Sequence, residues 1–565
     1  MSLFNSVTFM SSVTQQGFKH GEVRIINVLK MKFKKEKSYN PLVVIGPRDV
    51  GKTIYVKLAA LRLLSEGLTK FAGESICNVH LPILVSCRDL GKDANNVIIQ
   101  LIKEYRTSIV TPIKCEIRPL LVIDDAHLCQ DINIDIYRGL GSKVVLIMPS
   151  SMLPQRLKNL GNVSMQLILP LRFVEVAEVK DPQVRKVLED SRHFHGEDRL
   201  CNLMDIQRMR EIMMKIANSA NNLSLEQVND LFMNYLKYGG TYYGVELIAS
   251  GRNSKKEDIV AMNFLKTIDK ILTDAKAYGI KEHVVRGLLY YLAQHIFEEG
   301  LIVNKDELER KVKNIVSQFS ISDVRKEDID NALSFLRQSH IIGEVKCMCV
   351  KKDDEGKHLK NEASPGHVKY VFSDPRYAIG AYMHYRHYLG PEEYLNVYRE
   401  ILSMIENEFK EGKSSGSEKL KFNHFLEATA IANVALGAYA VSTSATYSKT
   451  SGQLNPKFFD SFVKFLEIYK SNNKDSEVDS VITISIPKDE NTLNSCKEFK
   501  NEIKIAFEVS TNYDKGHVDK CRKIVDSKYV DYCIYAYLLY GSSQDNQILS
   551  DGVLEAPLPY ALLLM

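Results

Sequence analysis

Residues 42–53 read Leu-Val-Val-Ile-Gly-Pro-Arg-Asp-Val-Gly-Lys-Thr. An apolar, β-forming run empties into the spacing Gly-x-x-x-x-Gly-Lys-Thr between Gly46 and Thr53, the pattern of a loop that wraps phosphate between a strand and a helix. The loop comprises Gly46, Pro47, Arg48, Asp49, Val50, Gly51, Lys52 and Thr53. A polyphosphate is cradled only if several main-chain N–H groups point inward together, and Gly46 and Gly51 lack the Cβ that would obstruct them. Lys52 is expected to place its charge on the β- and γ-phosphates and Thr53 to offer a hydroxyl ligand to Mg2+. The helix they open turns its positive dipole end toward the anion. Ile54, Leu58 and Leu61 fall on one helical face, and Gly67 marks the expected helix end. The expected ligand is ATP with Mg2+.

A second acidic position follows. Pro119-Leu-Leu-Val-Ile-Asp-Asp125 is a buried-strand run ending in two carboxylates. Asp124 is the candidate Mg2+ ligand, and Asp125 the candidate group to orient or deprotonate an attacking water. The plainer alternative makes both a turn at a strand end. Strand patterns at Val79–Val85, Pro119–Asp124 and Gly141–Met148 alternate with a helix pattern at Ala94–Tyr105. That alternation predicts a parallel α/β sheet with helices on both faces and the ligand at the carboxyl ends of the strands. Ser150, just past the fourth strand, is then a candidate γ-phosphate sensor. Arg156 is an arginine-finger candidate, against the default of a surface arginine.

At 565 residues the chain exceeds one core and is expected to hold roughly three or four domains. A net charge of +4 is small for this length, so any basic surface must be local. The lysines between Gly21 and Lys37 suit nucleic acid, acidic lipid or, more simply, a solvated helix face. Ten cysteines without a Cys-x-x-Cys pair suggest reduced thiols and a cytoplasmic protein. Cys347 and Cys349 lack a second pair of zinc ligands, and His193 and His195 read as a solvated loop. Ala428–Ser448 is uncharged but rich in small residues, which favours a buried helix and loop over a membrane span.

The order of features resembles the archaeal-type P-loop ATPases of the STAND and AAA-related class. The residues that carry the resemblance are Gly46–Thr53, the strand end Val-Ile-Asp124-Asp125-Ala-His127, and Ile147-Met-Pro-Ser-Ser151. Leu169-Pro-Leu171 and Tyr238-Gly-Gly240 continue it. The resemblance implies a P-loop NTPase followed by a helical lid, a winged helix and a small α/β C-terminal domain. The corresponding boundaries are a flexible N-terminus at 1–20, a nucleotide-binding domain at 21–178 and a lid at 179–280. A winged helix at 281–378, a helical region with linker at 379–452 and a C-terminal domain at 453–565 complete it.

Three helix patterns, Val284–Phe297, Asp306–Phe319 and Lys326–Ser339, precede strand patterns at Ile341–Lys351 and Val368–Phe372, the layout of a winged helix. Arg325, Lys326, Arg337, Lys351, Lys352, Lys357 and Lys360 favour DNA contact, while Asp353, Asp354 and Glu355 favour a packing role. Phe372-Ser-Asp-Pro-Arg-Tyr377 resembles the segment that leaves such a module.

A helix pattern at Lys457–Leu466, strands at Val481–Ile486 and Ile503–Val509, a helix at His517–Val525 and a strand at Val530–Leu538 follow the element order of a restriction-endonuclease-like core. Such a core binds a second Mg2+ through carboxylates, for which Asp479, Glu508 and Asp460 are candidates. Ser510 stands where its lysine belongs, leaving Lys520 as a substitute, so the nuclease pattern is degenerate. Three functions remain in play: a Mg-ATP-dependent switch, with or without DNA or a protein or self partner; an ATP-gated nuclease; and a non-hydrolysing nucleotide-bound scaffold.

Overall fold

In the computed structural model the described residues are 41–71, 77–90, 93–108, 115–129, 132–149, 164–191, 202–203, 205–218, 224–240, 254–319, 324–352, 359–389, 394–411, 420–446, 463–470, 473–485, 502–539 and 552–565. The segment 1–20, the basic stretch Gly21–Lys37 and the pair His193 and His195 lie outside them, as do Ser150, Arg156 and Asp460. The chain divides into two compact units, one of residues up to Leu169 and one running from Pro170 to the last residue.

The first unit is built around β1, Leu42–Gly46, whose five residues are all buried. It lies between β4, Lys143–Pro149, and β5, Ser164–Leu167, and pairs with both in parallel. A strand flanked on both edges and covered on both faces can carry only apolar side chains, which is the composition of Leu42–Ile45. Outward from β4 come β3, Cys115–Asp124, and β2, Cys77–Ser86. The sheet order is β2-β3-β4-β1-β5, parallel throughout as the alternation predicts. β4 therefore separates the loop-bearing strand from the acid-bearing strand, with Pro149 in register with Gly46.

The longer helices among the described residues that link these strands are α1, Lys52–Phe71; α2, Ala94–Ser108; and α3, Ile134–Gly139. α1 runs through Gly67, so the expected end there is wrong. One helical glycine costs only about 1 kcal/mol relative to alanine, and nineteen other residues of a 20-residue helix outweigh it. The expectation of reduced thiols also fails at two pairs. Cys87, just past the end of β2, is disulfide-bonded to Cys129, and a second disulfide joins Cys521 to Cys533. Neither pair has a recognisable spacing, being 42 and 12 residues apart; folding brings them together.

The second unit opens with α4, Phe173–Lys180; α5, Pro182–Asp190; α6, Ile206–Asn218; α7, Leu225–Tyr238; and α8, Ser254–Ala277. Phe173 meets Phe232 edge-on at 5.0 Å between ring centres, locking α4 to α7. Next come α9, Glu282–Gln294, a π-helical turn, and β6, Ile302–Asn304. α10, Lys305–Ser317, and α11, Lys326–Gln338, then lead to β7, Ile342–Lys352, and β8, Leu359–Phe372. β8 pairs antiparallel with both β6 and β7. Three residues are too few to show a period, so β6 was not legible in the sequence.

α12, Pro375–Leu389; α13, Tyr394–Glu411; and α14, Phe422–Thr446, follow. α14 contains most of the uncharged stretch; Ile431, Val434 and Leu436 are buried in it. No helix among the described residues is long and apolar enough to cross a membrane. Beyond it, β9 spans Val463–Lys470, so residues 463–466 form a strand where a helix was expected. Its apolar residues, Val463, Phe465, Leu466, Ile468 and Tyr469, do not alternate strictly, and their spacing also suits an amphipathic helix.

β10, Asn473–Ser485, and β11, Glu502–Ser510, run antiparallel to each other. α15, Lys515–Asp526, β12, Tyr532–Tyr537, β13, Val553–Pro557, and α16, Leu558–Leu564, complete the unit. A parallel pairing of β7 with β9 fuses everything from β6 to β13 into one eight-stranded sheet, β13-β12-β11-β10-β9-β7-β8-β6.

Candidate phosphate-binding site

The loop Gly46–Thr53 leaves β1 and enters α1 with the backbone that such a turn demands. Asp49 and Gly51 adopt left-handed φ angles of 59° and 89°, tolerable for aspartate and free for glycine. A Cβ on Gly46 would come within 2.0 Å of the Ile168 carbonyl oxygen, so glycine is needed there for close packing against the end of β5. Val50 is 2% exposed and anchors the loop to the interior.

Lys52 is 7% exposed. Its Nζ donates to the carbonyl oxygens of Gly46 at 3.0 Å and Pro47 at 2.5 Å, which holds the ammonium inside the loop. Thr53 Oγ1 donates to Asp124 Oδ2 at 2.9 Å, and Asp124 Oδ1 accepts from the Asp125 N–H at 3.0 Å. A hydroxyl and a carboxylate, brought together from the start of α1 and the end of β3, form an oxygen-only donor pair. Hard, octahedral Mg2+ takes such donors and completes its shell with phosphate and water, so these residues fit Mg2+ with a nucleotide.

Asp125 sits in the left-handed region, with φ 49° and ψ 40°, where β3 turns into a short 3-10 segment. Its Oδ1 accepts from Arg48 Nη1 at 2.6 Å, and its Oδ2 accepts from Arg88 Nε. Arg48 Nη2 lies 3.2 Å from His127 Nε2. Burial pushes the Asp125 carboxyl up, but the Arg48 charge and hydrogen bond, with Arg88 and His127, outweigh it and leave the group below its ordinary value. Asp125 therefore stays ionised, with each oxygen engaged by an arginine. Arg88 had no signal in the sequence, because nothing local marks a residue just past the end of β2 as a neighbour of the end of β3.

Ser150 and Arg156 lie outside the described residues; the strand end before Ser150 lies between the loop strand and the acid strand. The other motifs of the resemblance that fall in the second unit converge on one buried carboxylate. Asp374, 0% exposed, accepts from the Gly240 N–H at 2.7 Å and from the Arg376 N–H at 2.9 Å. The Leu171 N–H in turn donates to Gly240 O at 2.8 Å. A Cβ on Gly240 would stand 1.8 Å from Leu171 O, which explains the glycine.

Of the second acidic set, Asp479 and Glu508 are neighbours: the Asp479 N–H donates to Glu508 Oε2 at 3.1 Å. Lys520 Nζ reaches Glu508 Oε1 at 3.3 Å. Asp460 lies outside the described residues, and the third carboxylate beside Asp479 is Glu427, from α14. Sequence reasoning missed it because α14 is read by its uncharged run. Among the described residues, no group of three or more His, Cys, Asp or Glu side chains is arranged to hold a metal ion.

Five parallel strands, flanking helices and a phosphate-type loop between β1 and α1 make the first unit an α/β P-loop NTPase fold. No family model and no curated protein matches the chain. Among solved structures, the chain is similar to the Aeropyrum pernix ORC2 protein in its ADPNP-ADP complexes, with TM-score 0.32 and 9% identity over 68% of this chain and 94% of that one. The A. pernix ORC1 protein in complex with DNA gives TM-score 0.25 and 14% identity, covering 65% of this chain and 92% of that one. Cdc6p from Pyrobaculum aerophilum gives 0.20 and 10%, covering 68% and 95%. None of these scores is high enough to carry the fold assignment, which rests on the sheet order and the loop.

Proposed function

We propose that the chain is a Mg-ATP-binding P-loop ATPase that works as a molecular switch. The observation that carries this reading is the 2.9 Å contact between Thr53 and Asp124, next to a lysine held within the phosphate loop. Mg2+ bound there with ATP would screen the phosphate charge and polarise the terminal phosphoryl group. Thr53 and Asp124 hold the metal side of the ligand, Lys52 moves from its two carbonyl partners to the phosphates, and the loop N–H groups fix their position. Asp125 orients the attacking water once one of its oxygens is released by an arginine. Ser150 and Arg156 are the proposed γ-phosphate sensor and arginine finger.

The proposed read-out lies in the second unit. α9, β6, α10, α11, β7 and β8 follow the helix-strand-helix-helix-strand-strand order of a winged helix. We favour a packing or protein-binding role for it over base reading by α11. That helix carries Glu327, Asp328 and Asp330 against Lys326 and Arg337, and Arg337 is paired to Glu344 at 2.9 Å, so it offers little net charge to phosphate. The test is calorimetric titration of ATP with Mg2+ into wild type and Lys52→Ala, with phosphate release measured on both. Loss of one charge-assisted contact is worth about 1.5–3 kcal/mol, so Lys52→Ala is expected to bind roughly 10- to 150-fold more weakly. Equal affinity in the two proteins refutes the assignment. Binding without phosphate release in wild type would leave the scaffold reading in place of the switch.

A further inference from the structure

The sheet end that carries Asp479 and Glu508 already holds a cation, supplied by the chain itself. Lys369, on β8, is 2% exposed. Its Nζ donates to Glu427 Oε1 at 2.6 Å and to the Asp479 main-chain oxygen at 3.2 Å, and lies 3.6 Å from Asp479 Oδ1. The remaining oxygens of Asp479 and Glu508 are also engaged. Asp479 Oδ2 accepts from the Val509 N–H at 2.7 Å. Glu508 Oε2 accepts from the Asp479 N–H, and Glu508 Oε1 meets His517 Nδ1 at 2.5 Å and Lys520 at 3.3 Å.

A divalent ion needs carboxylate lone pairs turned toward one point at metal–oxygen distance. Here the lone pairs of Glu508 and of Asp479 Oδ2 are directed at N–H groups, and an ammonium stands among the acids. Burying a lysine this deeply is tolerable only with close opposite charge, which Glu427 and Asp479 provide. Burial alone would pull the ammonium toward neutrality, but those two acids keep it charged. The residues present therefore do not fit the second Mg2+ that a nuclease reading requires.

We propose that Lys369 occupies the cation seat of this site, so that Glu427, Asp479 and Glu508 form an internal ion cluster fastening β8 and α14 to β10 and β11, not a divalent-metal centre. The cluster shares no residue with the phosphate loop, and its test is independent of ATP. Mn2+ uptake is measured by electron paramagnetic resonance on the full chain without nucleotide, for wild type, Asp479→Asn, Lys369→Ala and the double variant. Any Mn2+ held near Asp124 is common to all samples and cancels. Wild type and Asp479→Asn are expected to bind the same amount. Lys369→Ala is expected to gain one Mn2+ per chain, lost again in the double variant. Wild-type uptake that Asp479→Asn abolishes overturns the proposal, as does a folded Lys369→Ala that gains nothing. Should Lys369→Ala fail to fold, the comparison of wild type with Asp479→Asn still decides, and Lys369→Arg, which keeps a cation, should fold and bind no additional Mn2+.

Discussion

Removing Arg88 should speed the chain up. Asp125 has two carboxylate oxygens, one taken by Arg48 and the other by Arg88. A carboxylate that orients water must give up one of them, so Arg88 competes with the water for Oδ2. The Arg88 side chain is 41% exposed, and an ion pair this wet is worth only about 0.5–1 kcal/mol after solvent screening. Arg88→Ala removes that much from the work of freeing the oxygen. At about 1.36 kcal/mol per tenfold in rate, turnover rises roughly two- to fivefold. Arg48, 8% exposed, still holds the carboxylate in place. Asp125→Asn, by contrast, removes the group itself and should lower turnover by about 100-fold or more. The assay is phosphate release at saturating ATP and Mg2+ for wild type and both variants, with circular dichroism confirming the fold. A fall in Arg88→Ala as deep as that of Asp125→Asn would refute the competition and place Arg88 in the machinery.

Two further outcomes test the second unit. Gly240→Ala puts a Cβ 1.8 Å from Leu171 O at a backbone pinned by Asp374, and should cost about 3 kcal/mol or more. Gly279→Ala meets no atom within 4 Å but keeps a φ of +79°, and should cost only about 1 kcal/mol; thermal unfolding of the pair separates collision from strain.

The loop and its sheet were legible because each rests on a local rule. Gly46–Thr53 has a fixed spacing, and the apolar runs at Leu42–Ile45, Leu120–Ile123 and Val144–Met148 have the length of buried parallel strands. What was hidden depends on distance along the chain. The Arg88 to Asp125 contact spans 37 residues and the Lys369 to Asp479 contact 110, and no period or motif encodes either. The third carboxylate was sought at Asp460, near in sequence to Asp479, whereas α14 supplies Glu427 from further away. The helix end expected at Gly67, and the helix expected over Lys457–Leu466 at its residues 463–466, failed for a different reason. In both, a weak local preference was overruled by the elements around it.

The β7 and β9 pairing has a mechanical meaning. Were the two halves of the second unit tethered only by loops, each could swing without disturbing the other. Main-chain hydrogen bonds running from β6 at one edge, through the β7–β8 hairpin, to β13 at the other make a single stiff plate instead. A push delivered to the hairpin must twist or displace the far strands as well, so a partner gripping either edge would feel the same stroke.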